Sequence, residues 1–232
     1  MSHLDICYLP AQWRRLQPAQ LQASVCVVID VIRATSTIVT ALAHGAAGVQ
    51  PVADASDAFV LKARHPSALL AGERGGKPLP GFDLGNAPSE FTAERVSGQS
   101  ILLTTTNGTQ ALAACVGSRA VLALGMLNLD SVAIRLRELG PPWIVLCAGF
   151  EGGFGADDAM VAGALAEALD QDHPFIALYR SVQKNLADAL LGSQAGRELI
   201  KAGLEKDVQF CAERSRFPIV PTLDAEGVLR AS

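Results

Sequence analysis

Apolar residues fall into two alternating patterns along this chain. Short runs, LDICYL, SVCVVID, SALLAG, SILLTTT, AVLAL and WIVLCAG, are largely apolar, as expected of strands buried on both faces of a parallel sheet. Between most of them apolar positions recur at helical spacing, over Ala34 to His44, Ser56 to Arg64, Gly108 to Val116 and Leu129 to Leu139. A fifth such stretch, Ala156 to Leu169, follows the last run, and this spacing predicts helices with one packed face. The alternation predicts an α/β protein: a three-layer α/β/α sandwich with a largely parallel or mixed sheet, its strand C-termini on one rim.

Two regions break the rhythm. GERGGKPLPGFDLGNAP, Gly72 to Pro88, carries five glycines and three prolines, too many for a helix or an inner strand. It predicts a long ordered loop, and such loops inside compact domains usually serve function. From His173 onward the pattern is helical, in PFIALYRSVQKNLADALLG, SQAGRELIKAG and LEKDVQFCAERSR, before an extended FPIVPTL and a polar tail. The expected organisation is an α/β core over residues 1–172 with a smaller helical C-terminal subdomain, residues 173–232, packed on it.

Composition narrows the function. Half of the 232 residues are hydrophobic and 18% are charged, which predicts a packed globular protein. A net charge of −4 gives no electrostatic reason to expect nucleic acid. No apolar stretch is long enough for a membrane span, and the opening MSHLDICYLPAQWRR lacks the pattern of a signal peptide. The five cysteines are scattered without CxxC pairs, as expected of reduced thiols in a cytoplasm. Of these, Cys147, near a strand end, is the one with a claim to a site.

The polar residues with chemical potential gather where strands end, the ligand-binding rim of open α/β sheets. Asp30 closes the VCVVI run, and Arg33, Thr35, Ser36 and Thr37 open the next helix. These hydroxyls either cap the helix or join Arg33 around an anion at its N-terminus, and a carboxylate behind an apolar strand needs a partner, Arg33 or a metal. Glu73, Arg74 and Lys77 flank two glycines directly after ALLAG. Thr104-Thr105-Thr106-Asn107-Gly108-Thr109 follows SILL, as an oxyanion cradle or as a capped Asn-Gly turn. Asp157 and Asp158 begin a helix after Cys147-Ala148-Gly149, serving its dipole or a hard cation. No histidine follows a nucleophile-elbow pattern, and no P-loop or dinucleotide fingerprint is present. By elimination, acids, arginines, hydroxyls and amides at strand ends suit a metal-assisted reaction on an anionic phosphate ester.

In this order VVIDVIRATSTI, GERGGKPLPGFDLGNAP, TTTNGT and CAGFEGGFGADDAMVAG, with the C-terminal DVQFCAERSRFPIVP, resemble the 2-phosphosulfolactate phosphatase family. Ala87 stands where that family's DLGNSP form has serine. The resemblance implies an α/β fold, a homodimer and a Mg²⁺-dependent phosphatase that converts 2-phospho-3-sulfolactate to 3-sulfolactate on a route to coenzyme M.

Carried onto this chain, the resemblance implies a catalytic set of Asp30, Arg33, Glu73 and Asp158, with Asp30, Glu73 and Asp158 holding Mg²⁺. Asp158 is preferred to Asp157 as the family's fixed acid. Thr35, Ser36, Thr37, Arg74, Lys77, Thr105, Asn107, Gly108 and Thr109 form the expected substrate-binding set for a small anionic phosphate ester. The nucleophile is water or Asp30 itself. Water is favoured, because phosphatases that form an aspartyl-phosphate generally show Asp-x-Asp and position 32 is Ile. The rival from another class is a non-catalytic binding protein for a phosphorylated or sulfonated acid, which would not need the three acids together.

Overall fold

The computed structural model of the chain describes residues 3–232. Ten strands form one sheet: β1 Leu4–Cys7, β2 Val25–Ile29, β3 Gly48–Pro51, β4 Leu69–Arg74, β5 Lys77–Pro78, β6 Ser100–Thr104, β7 Ala120–Leu124, β8 Trp143–Cys147, β9 Pro221–Leu223 and β10 Leu229–Ala231. The helices are α1 Pro10–Trp13, α2 Pro18–Ala23, α3 Ala34–Ala43, α4 Ala55–Arg64, α5 Ala93–Val96, α6 Gly108–Ala114, α7 Leu129–Leu139, α8 Ala156–Ala168, α9 Phe175–Val182, α10 Leu186–Leu191, α11 Gln194–Lys201 and α12 Glu205–Cys211. The six apolar runs all form strands and the five helical patterns all form helices, so the chain is an α/β protein with a largely parallel sheet.

The sheet runs β1-β8-β2-β7-β9-β10-β3-β6-β4-β5. It contains two parallel blocks, β1-β8-β2-β7 and β3-β6-β4, whose strand C-termini carry the polar clusters. The C-terminal hairpin β9-β10 joins the blocks through antiparallel pairs to β7 and β3. The extended FPIVPTL segment thus supplies part of a strand in the middle of the sheet. Short, polar β3 and β10 carry no apolar run and escape a pattern-based reading.

Alternation along β2 shows why both faces are covered. Val25, Val27 and Ile29 pack with α7, α8 and the C-terminal helices, while Cys26 and Val28 pack with α3 and α6. Successive strand residues point to opposite faces, so a fully apolar strand demands helices on both. A third cluster of Leu70 and Leu102 under Ala58 fixes α4 on the second block.

Gly163 lies inside α8, where a Cβ would stand 2.0 Å from the Phe175 carbonyl oxygen at the start of α9. Glycine weakens a helix interior, but here it lets two backbones meet. Gly163→Ala is expected to lower stability by about 1–3 kcal/mol, read as a lower urea midpoint. An unchanged or higher midpoint would contradict this packing.

Candidate active site

Asp30 follows β2 and caps α3. Its Oδ1 accepts the Ala34 N–H at 3.2 Å and its carbonyl accepts the Thr35 N–H at 3.0 Å. The first N–H groups of α3 are therefore used inside the protein. Thr35, Ser36 and Thr37 are completely buried, and their hydroxyls donate to the backbone. Thr35 Oγ1 donates to the carbonyls of Asp30 and Leu124, Ser36 Oγ to Val31 and Thr37 Oγ1 to Asn86, all at 2.8–3.0 Å. None of the three lines the cleft that holds Asp30 and Arg33. They stitch α3 to β2, to β7 and to the 82–88 loop.

Arg33 is different. It is buried to 4% exposure, yet among the described residues the only hydrogen bond of its guanidinium runs from Nη2 to the Gly76 carbonyl at 3.2 Å. Among the described residues no carboxylate lies within ion-pair distance of it. A guanidinium carries five N–H donors, so most of this one remains available to an anion.

Glu73 and Arg74 are neighbours on β4 and so point to opposite faces. Glu73 enters the cleft, where both of its oxygens are taken. Oε2 accepts the Gly76 N–H at 2.7 Å, and Oε1 accepts the Thr106 N–H at 2.8 Å and its hydroxyl at 3.0 Å. It clamps the β4 turn to the loop after β6. Arg74 turns away, donating to the Glu73 carbonyl, to Thr104 Oγ1 and to the Ala53 carbonyl, and does not line the cleft.

After β6, Thr105 and Thr109 cap each other: the Thr109 N–H donates to Thr105 Oγ1 at 3.1 Å, and Thr109 Oγ1 donates to the Thr105 carbonyl at 3.0 Å. Both are buried, leaving Thr106 and Asn107 as the residues of this loop that face the cleft. Gly108 has no room for a side chain. A Cβ there would lie 2.6 Å from Asp30 Oδ2 and from the Ala34 Cβ. The starts of α3 and α6 thus converge on one carboxylate, although β2 and β6 belong to different blocks of the sheet.

The opposite wall comes from β8 and α8. Asp158 Oδ1 accepts the Val31 N–H at 3.0 Å and Oδ2 the Gly149 N–H at 2.9 Å, so this acid ties the loops after β2 and β8 together. Asp157, beside it, makes no side-chain hydrogen bond to another segment among the described residues and lines the cleft. Cys147 is fully buried beneath, its thiol pushed well above its ordinary range by burial, with Asp158 and Asp157 adding to the effect. The resulting cleft of about 350 Å³ gathers Asp30, Arg33, Glu73, Lys77, Asn107, Asp157 and Asp158. Helix α11 closes one side with Ala195, Glu198, Leu199 and Lys201, and Leu199 lies against the Gly76 turn. The sequence pattern marks this stretch as helical but does not place it at the site, because only tertiary packing brings it over the cleft. Asp157 was within reach as half of an Asp-Asp pair at a helix start.

The acids are under electrostatic pressure. Burial pushes the Asp30 carboxyl up to about 7; Glu73 and Asp157 push the same way, while the Ala34 N–H and Arg33 oppose them. Burial likewise lifts Asp157 to about 6, against N–H bonds at the start of its own helix. Asp158 is raised well above the carboxylate range by burial, then by Asp157 and Asp30. Desolvated like charges of this kind are relieved by a cation. Among the described residues no three acidic, histidine or cysteine side chains form a group that could hold a metal ion. Glu73 and Asp158 already have both oxygens bonded, so the trio Asp30, Glu73 and Asp158 does not make a cage. Asp30 and Asp157 retain free oxygen capacity, a donor set that suits Mg²⁺, which takes one or two carboxylates and completes its shell with water and phosphate oxygens.

The molecule is a doubly covered α/β sheet with an acid-lined cleft at its strand C-termini. The family model described as 2-phosphosulpholactate phosphatase matches residues 12–226. A Thermotoga petrophila protein named probable 2-phosphosulfolactate phosphatase is 40% identical over 209 residues, 88% of this chain and 90% of its own length. A protein of the same name from Caldanaerobacter subterraneus is 36% identical over 231 residues, 95% of each chain, and one from Gloeobacter violaceus is 39% identical over 212 residues, 88% of this chain and 89% of its own. The chain belongs to the 2-phosphosulfolactate phosphatase family, whose name is that of a phosphoric monoester hydrolase. Among the described residues no helix is long and apolar enough to cross a membrane.

The raised Asp30 carboxyl fixes the sign of a pH effect. The folded state holds this proton more tightly than the unfolded chain, so the contribution favours folding below about pH 4 and is lost as pH climbs through about 7. In EDTA, Asp30→Asn keeps an acceptor for the Ala34 N–H and removes the charge. It should therefore gain stability over wild type at pH 8 relative to pH 5, by on the order of 2 kcal/mol. Urea unfolding at the two pH values checks this, and an equal difference at both would contradict the shifted carboxyl.

Proposed function

We propose that the chain hydrolyses the phosphate monoester of a 2-phospho acid with the help of Mg²⁺, 2-phospho-3-sulfolactate being the substrate that the names of its relatives imply. The observation that carries this reading is Arg33: a buried guanidinium, bonded by a single N–H to a backbone carbonyl, beside carboxylates driven towards neutrality. An anion supplies what Arg33 lacks, and a cation supplies what the acids lack. A phosphate ester with its magnesium ion brings both.

Arg33 would grip the phosphoryl oxygens by charge-assisted hydrogen bonds, with Thr106 and Asn107 on the same wall and Lys77 at the exposed rim. Asp30 and Asp157 would hold Mg²⁺, which when bound offsets charge developing on the phosphoryl oxygens. Glu73 and Asp158 act by position, pinning the loops from which Thr106, Gly76, Val31 and Gly149 come. The attacking water gives up a proton to the Asp30 carboxylate as its oxygen bonds to phosphorus. The ester P–O bond breaks, and the leaving alkoxide takes up a proton to become the 2-hydroxy acid. Water serves as nucleophile, since the chain has no second acid at position 32.

Phosphate release from 2-phospho-3-sulfolactate, measured with Mg²⁺ and again with EDTA, should be seen only with the metal. Saturable binding without release would support a binding protein instead. Arg33→Ala should lower kcat/KM by about 30-fold or more, equivalent to roughly 2–5 kcal/mol. An unchanged kcat/KM would remove Arg33 from the site.

A further inference from the structure

Asn86 stands apart from the other buried polar residues. Its Oδ1 is the one buried side-chain nitrogen or oxygen without a hydrogen-bond partner among the described residues, and its amide nitrogen has no partner among them either. The residue is 5% exposed and lines the cleft. Asn128 shows what a structural asparagine looks like in this fold. It is fully buried, its Oδ1 accepts the Gly125 N–H, and its Nδ2 donates to the carbonyls of Ala123 and Ile219. Buried polar groups are nearly always paired; here Oδ1 is enclosed, and the unpaired Nδ2 donor is the part of the amide open to the cleft, so the partner a ligand can bring is an acceptor for that N–H.

The backbone around Asn86 is pinned from several sides. Thr37 Oγ1 donates to the Asn86 carbonyl at 3.0 Å, Gly85 N donates to Glu90 Oε2 at 2.9 Å, and the Gly72 N–H donates to the carbonyls of Leu84 and Gly85. Asp207 Oδ1 on α12 accepts the Ser89 N–H at 3.1 Å. The backbone that carries the carboxamide is thus held in place before any ligand binds, a preorganisation that favours recognition. Thr37 lies one helical turn beyond Arg33, and three residues beyond the Ala34 N–H that Asp30 caps. At 1.5 Å per residue Asn86 is tied to α3 about 4–5 Å further along than the reacting acids. No carboxylate of the cleft hydrogen-bonds it. The backbone that carries the amide is thus offset along α3 from the groups proposed to meet the phosphate.

We propose that Asn86 is a specificity-determining residue whose carboxamide hydrogen-bonds the anionic acid group borne by the non-transferred part of the substrate. The assignment rests on the phosphatase reading above and adds to it the means of telling a 2-phospho acid from a simple phosphate ester. A neutral amide at this point donates to carboxylate or sulfonate oxygens without adding to the charge of a cleft that already holds Asp30, Glu73, Asp157 and Asp158.

The test compares wild type with Asn86→Leu, an apolar replacement of similar volume, in kcat/KM for 2-phospho-3-sulfolactate, 2-phospholactate and p-nitrophenyl phosphate. With Mg²⁺ present, the variant should lose about ten- to a hundredfold on the two acid-bearing esters, chiefly through KM. That loss should exceed its loss on p-nitrophenyl phosphate by about tenfold. Its Tm should stay level or rise, because an unpaired buried acceptor has been replaced by an apolar group; a structural role would lower it. Equal losses on all three esters, or none, with an active wild type would overturn the assignment of Asn86 alone. A wild type inert towards all three would remove the phosphatase reading and this inference with it.

Discussion

Buried Glu73, Asp157 and Asp158 and half-buried Asp30, gathered around one guanidinium, make up the constraint on which this molecule turns. Burying like charges is costly, and each solution here shapes the fold. Glu73 and Asp158 are quenched by backbone N–H groups, and in the process each fastens two loops together, the β4 turn to the loop after β6 and the loop after β2 to that after β8. Asp30 and Asp157 keep oxygens free and have their carboxyls raised. Arg33 offsets part of the charge while keeping most of its donors unused. On the proposed reading, a phosphate ester and its magnesium ion complement these groups.

That arrangement needs the two parallel blocks of the sheet to present their C-terminal ends to one another. The central β9-β10 hairpin joins the blocks, and Gly108, lacking a Cβ, lets α6 close on Asp30. The three buried hydroxyls on α3 contribute by fixing that helix to β2, β7 and the 82–88 loop. Their work is to hold Asp30 and Arg33 in register, with the ligand met by other groups.

Much of this was legible in the sequence. The apolar runs located six strands, and acids and bases at their ends placed Asp30, Arg33, Glu73 and Asp158 on one rim. Which member of each cluster meets the ligand was harder to read. Strand alternation alone separates Glu73 from Arg74, since adjacent positions cannot face one cleft. Whether Thr35, Thr105 or Thr109 bonds a substrate or a carbonyl depends on burial, which residue type does not reveal. Asp157 and Asp158 are alike in sequence, and they differ because only Asp158 reaches the N–H groups of Val31 and Gly149. The contribution of α11, and of an unpaired amide at Asn86, exists only in three dimensions.

The most direct measurement is a crystal structure of the protein with Mg²⁺ and orthovanadate, a mimic of the phosphoryl group in transfer. The account predicts vanadate oxygens on the Arg33 guanidinium, and a magnesium ion held by Asp30 and Asp157 with water completing its shell. Glu73 and Asp158 should keep their backbone hydrogen bonds. Vanadate bound away from Arg33, or a metal ion held by Glu73 and Asp158 in place of Asp30 and Asp157, would contradict it.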